Sequence, residues 1–560
     1  MVHLTGIEPA HLSIPDPKSG ASAYSATGAF QILVDYILAL VYNKINRKFG
    51  GIHMKKPLKI ILRVLLVFVI IIALIASAGG IYYGASKSCD LTVKINENEE
   101  ISDFYGWGTS DCWWADDIKD EATRKEVARL LFSEEGLNLN IYRYCLYGGY
   151  DPANNRVDNQ FRLGESFLVY NQETDTYEYD WSRDAASMAM LNEALKYNVD
   201  TVILFANSPH YSMCINGQSS GADSGDGISN IDESRYQDYV NYFLDITEHF
   251  IEQGIPVKYI SPINEPQWGW GGEYVAQEGC HYEKEQAAAL IKLFAQEIIK
   301  RDLDIKLYVL ESGSIGDTAK DYYNMLAGDD EIKSVMGANS YHSYFNDNDQ
   351  IKKAKFGKWA KENVDMRFDM SEWCELPTEG DASELRTALR IARVISQDVG
   401  TTKVNSWSNW VAINEKGVNE EDENDYSDGL LVADKENMND YYIASRYYGY
   451  QHFSRFVPTG SQLIDCGDGV FTVAATKDDD GVHFRELVNE TAFKTPDGKI
   501  VLVVVNEGNE RNLKINLEGY SNVQIYTTDE NNNCNKLYSG TPNEIYDIGS
   551  NSINTFIFLK

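Results

Sequence analysis

The chain predicts an α/β protein: a (β/α)8 TIM barrel with a C-terminal antiparallel β-sandwich, preceded by one N-terminal signal or transmembrane segment. Three observations carry this. Eight short apolar runs alternate with helical patterns between residues 103 and 455, the mark of parallel βαβ units. After Phe456, alternating runs follow one another with only turn residues between them, as in a sandwich. Near the start, Lys55, Lys56, Lys59 and Arg63 precede a stretch without charge from Val64 to Ala78, the basic-then-apolar order of an export signal.

Taken in order, residues 1–53 are out of place ahead of such a signal, which normally opens a chain. Translation is therefore expected to begin at Met54, with 1–53 a misassigned extension. Residues 54–88 leave two outcomes open. Ala76-Ser77-Ala78 resembles a small-residue cleavage site, which would give a secreted protein. Extended through Tyr83, the apolar stretch is about 20 residues long, enough to cross a bilayer. The basic flank keeps that end inside, so a single-pass anchor on the extracellular face of the membrane is favoured. Residues 89–102 are expected to be a linker, with LTVKIN (91–96) a candidate extra strand of the sandwich.

The barrel is assigned to residues 103–455. Its strands are predicted at 103–108, 137–144, 201–208, 259–266, 306–312, 337–344, 367–373 and 403–410. Near-continuous apolarity fits strands buried on both faces. Amphipathic helices are expected at Tyr236–Glu252, Glu283–Asp302 and Ala382–Val399, and the acidic stretch Asn419–Asp428 is read as a solvated loop. The runs end in polar or aromatic residues, and the C-terminal ends of barrel strands form the catalytic face. The sandwich is assigned to 456–560, from GVFTVAAT to NTFIFL.

The formal charge of −34 argues against nucleic acid as a partner, since phosphates attract basic surfaces. The 36 Tyr and 10 Trp suit both a large core and a carbohydrate binder, because sugar C–H faces stack on aromatic rings. None of the eight Cys forms a CxxC pair, and the nine His show no HExxH, so no metal or other cofactor is expected. Some cysteines of an exported chain would form disulfides, in a pairing the sequence does not give.

Two motifs carry the chemistry. SPINEP (261–266) puts Glu265 at the end of the fourth predicted strand, and RFDMSEW (367–373) puts Glu372 at the end of the seventh. Paired carboxylates at strand ends are what glycosidic cleavage needs, one to donate a proton and one to attack carbon. The arrangement resembles the retaining (β/α)8 glycosidases, and more closely glycoside hydrolase family 30. GWGTSDCWWA (106–115), LNIYRY (139–144), FANSPHYSM (205–213), SPINEPQ (261–267), YYGYQHFSRFVPTG (447–460) and AFKTPDGKIVLVVVN (492–506) look like that family's strand-end and sandwich segments.

The resemblance implies roles. Glu265 is the expected general acid/base, its pKa raised by the neighbouring charge of Glu372, the expected nucleophile. Asn264 would bind the sugar 2-hydroxyl. Arg143 would hold Glu372 ionised, and Tyr344, or less readily His342, would hydrogen-bond it. Trp107, Trp114 and Trp407 are expected to line the pocket, and Trp268 and Trp270 to stack on the leaving-group sugar. Glu311 is read as a support to the pair, and His210 either lines the cleft or packs a loop.

The expected activity is a retaining endo-type hydrolysis of extracellular polysaccharide by a monomer. Residues 106–115 look somewhat like the endo-β-1,6-galactanase branch, with glucuronoxylan, β-1,6-glucan and glucosylceramide-type substrates open. Two other classes compete. One is a catalytically inactive carbohydrate-binding cell-surface protein on a glycosidase scaffold. The other is a structural cell-surface protein whose working part is the sandwich.

Overall fold

Barrel strands here are apolar on both faces because both faces are covered. GWGTS (Gly106–Ser110), IYRYC (Ile141–Cys145) and TVILF (Thr201–Phe205) are buried at every position. The computed structural model describes residues 90–560 except 274, 377–380, 419–424, 435–436, 467–472 and 479–480. Among the described residues no helix is long and apolar enough to cross a membrane. The predicted extension at 1–53 and anchor at 54–88 lie outside them, as does most of the acidic stretch.

Eight parallel strands close a barrel in sequence order. The other five are Val257–Ser261, Lys306–Ser312, Met336–His342, Arg367–Trp373 and Ser406–Val411. Each of the eight predicted runs overlaps one of these strands, though the fourth ends at Ser261, so Glu265 stands on the loop after it. The first is shorter than expected: Phe104 ends a sandwich strand, and the barrel begins at Gly106. Gly106 has φ +131°, and a Cβ there would lie 1.8 Å from Oδ1 of Asn140. That amide oxygen accepts from the Trp107 N–H at 3.0 Å and pins the start of the strand.

Helices wrap the outside. Tyr236–Glu252 and Lys284–Arg301 lie as predicted, the latter opened by a capping box between Glu283 and Gln286. The third expected helix runs from Leu385 to Ser396 and then widens to a π-helical turn, Gln397–Thr402.

The sandwich is a seven-stranded antiparallel sheet facing a three-stranded one. The candidate strand at 91–96 does join it, and the rest of the expected linker forms a second strand. Asp90–Lys94 pairs in parallel with Arg511–Asn516, and Asn96–Phe104 pairs with Ser461–Asp465. One apolar core runs from the barrel into the large sheet. Trp107, Tyr450, Phe453 and Phe493 all belong to it, with Val501 and Ile553. His452 reaches across to Thr555 and Thr528 at 2.7 and 2.8 Å.

Candidate active site

The fourth and seventh strands bring Glu265 and Glu372 to one end of the barrel. A carboxylate oxygen of each, with a ring nitrogen of His342, lies in a group whose members are all within 4.8 Å of one another. Both glutamates are almost fully buried, at 7% and 4% exposure, yet both line the same cleft of about 480 Å³.

Each glutamate is fixed by named partners. Arg143, in the middle of the second strand, donates through Nη1 to Oε2 of Glu372 at 3.2 Å and through Nη2 to Oε1 of Glu311 at 3.1 Å. The Tyr344 hydroxyl donates to Oε1 of Glu372 at 2.9 Å. Nδ1 of His342 lies 2.8 Å from Oε1 of Glu265 and 3.5 Å from Oε1 of Glu372, while Nε2 lies 3.2 Å from Glu311. The Ser371 hydroxyl donates to the same Glu311 oxygen. Glu265 and Glu311 hold left-handed backbone, φ 44° and 49°, a conformation non-glycine residues adopt rarely and mostly at functional sites. The Glu265 N–H bonds the Glu311 carbonyl at 2.9 Å, so the fourth and fifth strand ends are tied together.

The charges follow from this geometry. Burial works against a charged imidazole, but Glu372, Glu265 and Glu311 overcome it and push His342 up to about 10. Burial likewise works against a charged Glu311, but Arg143, His342 and Ser371 pull it down to about 2. Burial pushes the Glu372 carboxyl above the ordinary carboxylate range, against His342 and Arg143 and with Glu265. The buried cluster therefore holds two cations, Arg143 and His342, and three carboxyl groups. Two carboxylates balance two cations, and a third buried charge would stand uncompensated. Glu311 is held ionised, and Glu372 is the carboxyl that burial raises. The same oxygens and nitrogen are close enough to hold a cation.

The remaining predicted residues divide. Asn264 is buried beside Glu265 with its Oδ1 unpartnered. Trp268 and Trp270 line the cleft, and the Trp270 indole donates to the Glu265 carbonyl at 3.1 Å. Trp107, Trp114 and Trp407, expected in the pocket, are instead buried in the core. Trp107 Nε1 donates to the Val457 carbonyl at 2.8 Å, Trp114 Nε1 to the Ser110 carbonyl at 2.9 Å, and Trp407 Nε1 to Asp398 at 3.1 Å. Trp410, three positions after Trp407, is the indole from this strand that reaches the cleft. Period-two alternation puts residues three apart on opposite faces, but does not say which face meets the cleft. His210 packs a loop, bonded to the Leu168 carbonyl at 2.9 Å.

Three further lining residues carry no motif: Arg162, Gln277 and Asp428. Arg162 stacks 3.9 Å over the Trp113 ring, which meets Trp410 edge-on at 5.3 Å. Asp428 was read with the solvated acidic stretch and lies on the wall instead. Gly313 faces Oε1 of Glu265, where a Cβ would sit at 2.7 Å. The seven described cysteines are all unpaired thiols.

Comparison with known proteins agrees with this architecture. Residues 90–432 match the model of O-glycosyl hydrolase family 30, and residues 472–556 match the family 30 beta-sandwich domain. An endo-beta-1,6-galactanase of Hypocrea rufa is 22% identical over 453 residues, 76% of this chain and 84% of that protein. Among solved structures, a conserved exported protein from Bacteroides fragilis superposes with a TM-score of 0.70 at 19% identity, over 83% of this chain and 100% of that one. The catalytic domain of a family 30 xylanase C from Talaromyces cellulolyticus superposes with a TM-score of 0.62 at 18% identity, over 84% of this chain and 100% of that one.

Proposed function

As the chain belongs to O-glycosyl hydrolase family 30, we propose that it hydrolyses an extracellular polysaccharide by double displacement with retention, acting within the chain. The observation that carries this is the separation of the pair. Oxygens of Glu265 and Glu372 lie within 4.8 Å, whereas an inverting enzyme needs roughly 6.5–9.5 Å between carboxyl groups to seat a water.

Glu265, as the general acid, gives a proton to the departing glycosidic oxygen. Glu372 attacks the anomeric carbon from the opposite face and forms a glycosyl-enzyme. Glu265, now ionised, takes a proton from the water that releases the sugar. Arg143 and Tyr344 hold the Glu372 oxygens in line for attack. Asn264 offers its unpartnered Oδ1 to a sugar hydroxyl, and Trp268 and Trp270 offer faces beyond the cleaved bond.

A β-1,6-galactan-like substrate is favoured by similarity over most of the length of a fungal endo-beta-1,6-galactanase. We also place the protein on the extracellular face of the membrane, on the basic flank and apolar run of residues 54–88; resistance to carbonate extraction tests this.

The activity is tested by digesting a panel of β-1,6-galactan, β-1,6-glucan and glucuronoxylan with linkage analysis of the products, alongside Glu265→Gln and Glu372→Gln. Anomeric retention in products that vanish in Glu372→Gln is expected. Equal turnover in all three proteins would sink the assignment.

A further inference from the structure

A second groove lies among the segments that follow the second and third barrel strands, and no step of the proposed reaction uses it. Between the second barrel strand and the next helix the chain inserts a hairpin, Leu168–Asn171 paired with Thr176–Tyr179. Tyr170 and Tyr177 stand on it, 45% and 41% exposed, with ring centroids 5.4 Å apart. Exposed aromatics held together in this way mark interaction sites more often than lone exposed side chains do.

The platform is rigid. Tyr177 meets the buried His210 ring edge-on at 5.6 Å and the Tyr211 ring at 6.1 Å. His210 in turn bonds the Leu168 carbonyl at 2.9 Å, locking the hairpin to the loop after the third barrel strand. The groove beside it encloses about 560 Å³, within the roughly 300–1,000 Å³ range of ligand sites. Its polar wall is made by Asp151 and by Glu165 paired with Arg183 at 2.8 Å. Carboxylates and a guanidinium are planar groups that match vicinal hydroxyls, and tyrosine faces match the C–H faces of a pyranose.

Groove and cleft are lined by neighbouring residues of one segment. Arg162 lines the cleft, and Gly164, two positions on, lines the groove. Gly164 is pressed so closely on the Tyr147 ring that a Cβ would lie 2.1 Å from it. The segment 162–164 thus borders both sites.

We propose that this groove is an ancillary glycan site that holds a second stretch of the polysaccharide substrate. The assignment rests on the hydrolase reading above. Two carboxylates against one guanidinium make the groove net acidic, so its ligand is an uncharged hexose chain rather than a uronate-bearing one.

The test uses the full chain carrying Glu372→Gln, so that polymer is not consumed, with and without Tyr170→Ala/Tyr177→Ala. Migration through native gels containing β-1,6-galactan, β-1,6-glucan or glucuronoxylan is compared. A single Tyr170→Ala variant guards against misfolding, as that ring is the more exposed. In the parent, a neutral polymer should retard migration, and the tyrosine substitutions should raise its apparent Kd at least about tenfold. In the otherwise native chain the same substitutions should lower kcat/KM on polymer and leave turnover of an aryl β-glycoside unchanged. Unaltered retardation, no retardation by any neutral polymer, or equal retardation by glucuronoxylan would each overturn the proposal. Hydrolysis of no polymer by the native chain would overturn the hydrolase reading alone, because retardation does not depend on turnover.

Discussion

Nδ1 of His342 lies 2.8 Å from Oε1 of Glu265, in a pocket where the imidazole is kept cationic by three carboxyl groups. The sixth strand therefore brings a positive charge to the very atom expected to handle the proton. Removing the charge without the volume exposes its role. His342→Gln leaves three carboxyl groups facing Arg143 alone, and Glu372, whose carboxyl the imidazolium pulls down, then binds its proton more tightly. The acid limb of the kcat/KM profile should move to higher pH, as one carboxylate of the pair must ionise for attack.

Glu311→Gln is the opposite perturbation. Glu311 is ionised and shared between Arg143 and His342. Without it, two cations face two carboxyl groups, and a charge that raises the Glu372 carboxyl is gone. The acid limb should move to lower pH, with kcat falling more than KM changes. Profiles of the three proteins on one aryl glycoside check both shifts, and identical limbs would show that the charge count does not govern the pair.

Glu265→Ala should fail mainly where proton donation is needed. On a substrate with a poor leaving group, turnover should fall by about 10²–10⁴, the usual worth of general acid–base catalysis. A dinitrophenyl glycoside, whose leaving group needs no proton, should still form the glycosyl-enzyme. Added azide should then restore turnover and give a β-glycosyl azide, readable by NMR. An α-linked azide would reverse the roles of the two glutamates.

Tyr344→Phe removes one hydrogen bond to Glu372 and little volume. Hydrogen bonds to charged groups are worth about 1.5–3 kcal/mol, so kcat should drop by about 10- to 100-fold with the fold intact. Thermal melting beside the kinetics separates this from lost stability.

Deleting residues 456–560 should not leave a working barrel. Trp107 of the first barrel strand packs on Phe493 of the sandwich with centroids 6.4 Å apart, and the two share one core. The truncated chain should aggregate or show non-cooperative melting. A soluble, cooperative barrel fragment would show that the two parts fold independently.

Much of this protein was legible in its residues. Strands buried on both faces leave a pattern of short apolar runs, and Glu265 and Glu372 closed two of those runs within motifs, so the barrel and the pair were readable one strand at a time. The single-strand view is also why Trp107, Trp114 and Trp407 were expected in the pocket: apolarity at a strand end says that a side chain is covered, but not by what. Strand 96–104 was read largely as linker because it is an exposed edge strand rich in acidic residues, with no apolar alternation to reveal it.

What the sequence by itself determined was therefore the set of elements and the chemistry at their ends, since periodicity and side-chain type are local properties. What only the tertiary structure decided was which ends meet. Barrel closure brings Glu311, Arg143 and His342 from three strands into contact around the pair. Charge balance in a buried space depends on that whole group, because each ionisation there is set by distances to residues tens to hundreds of positions away.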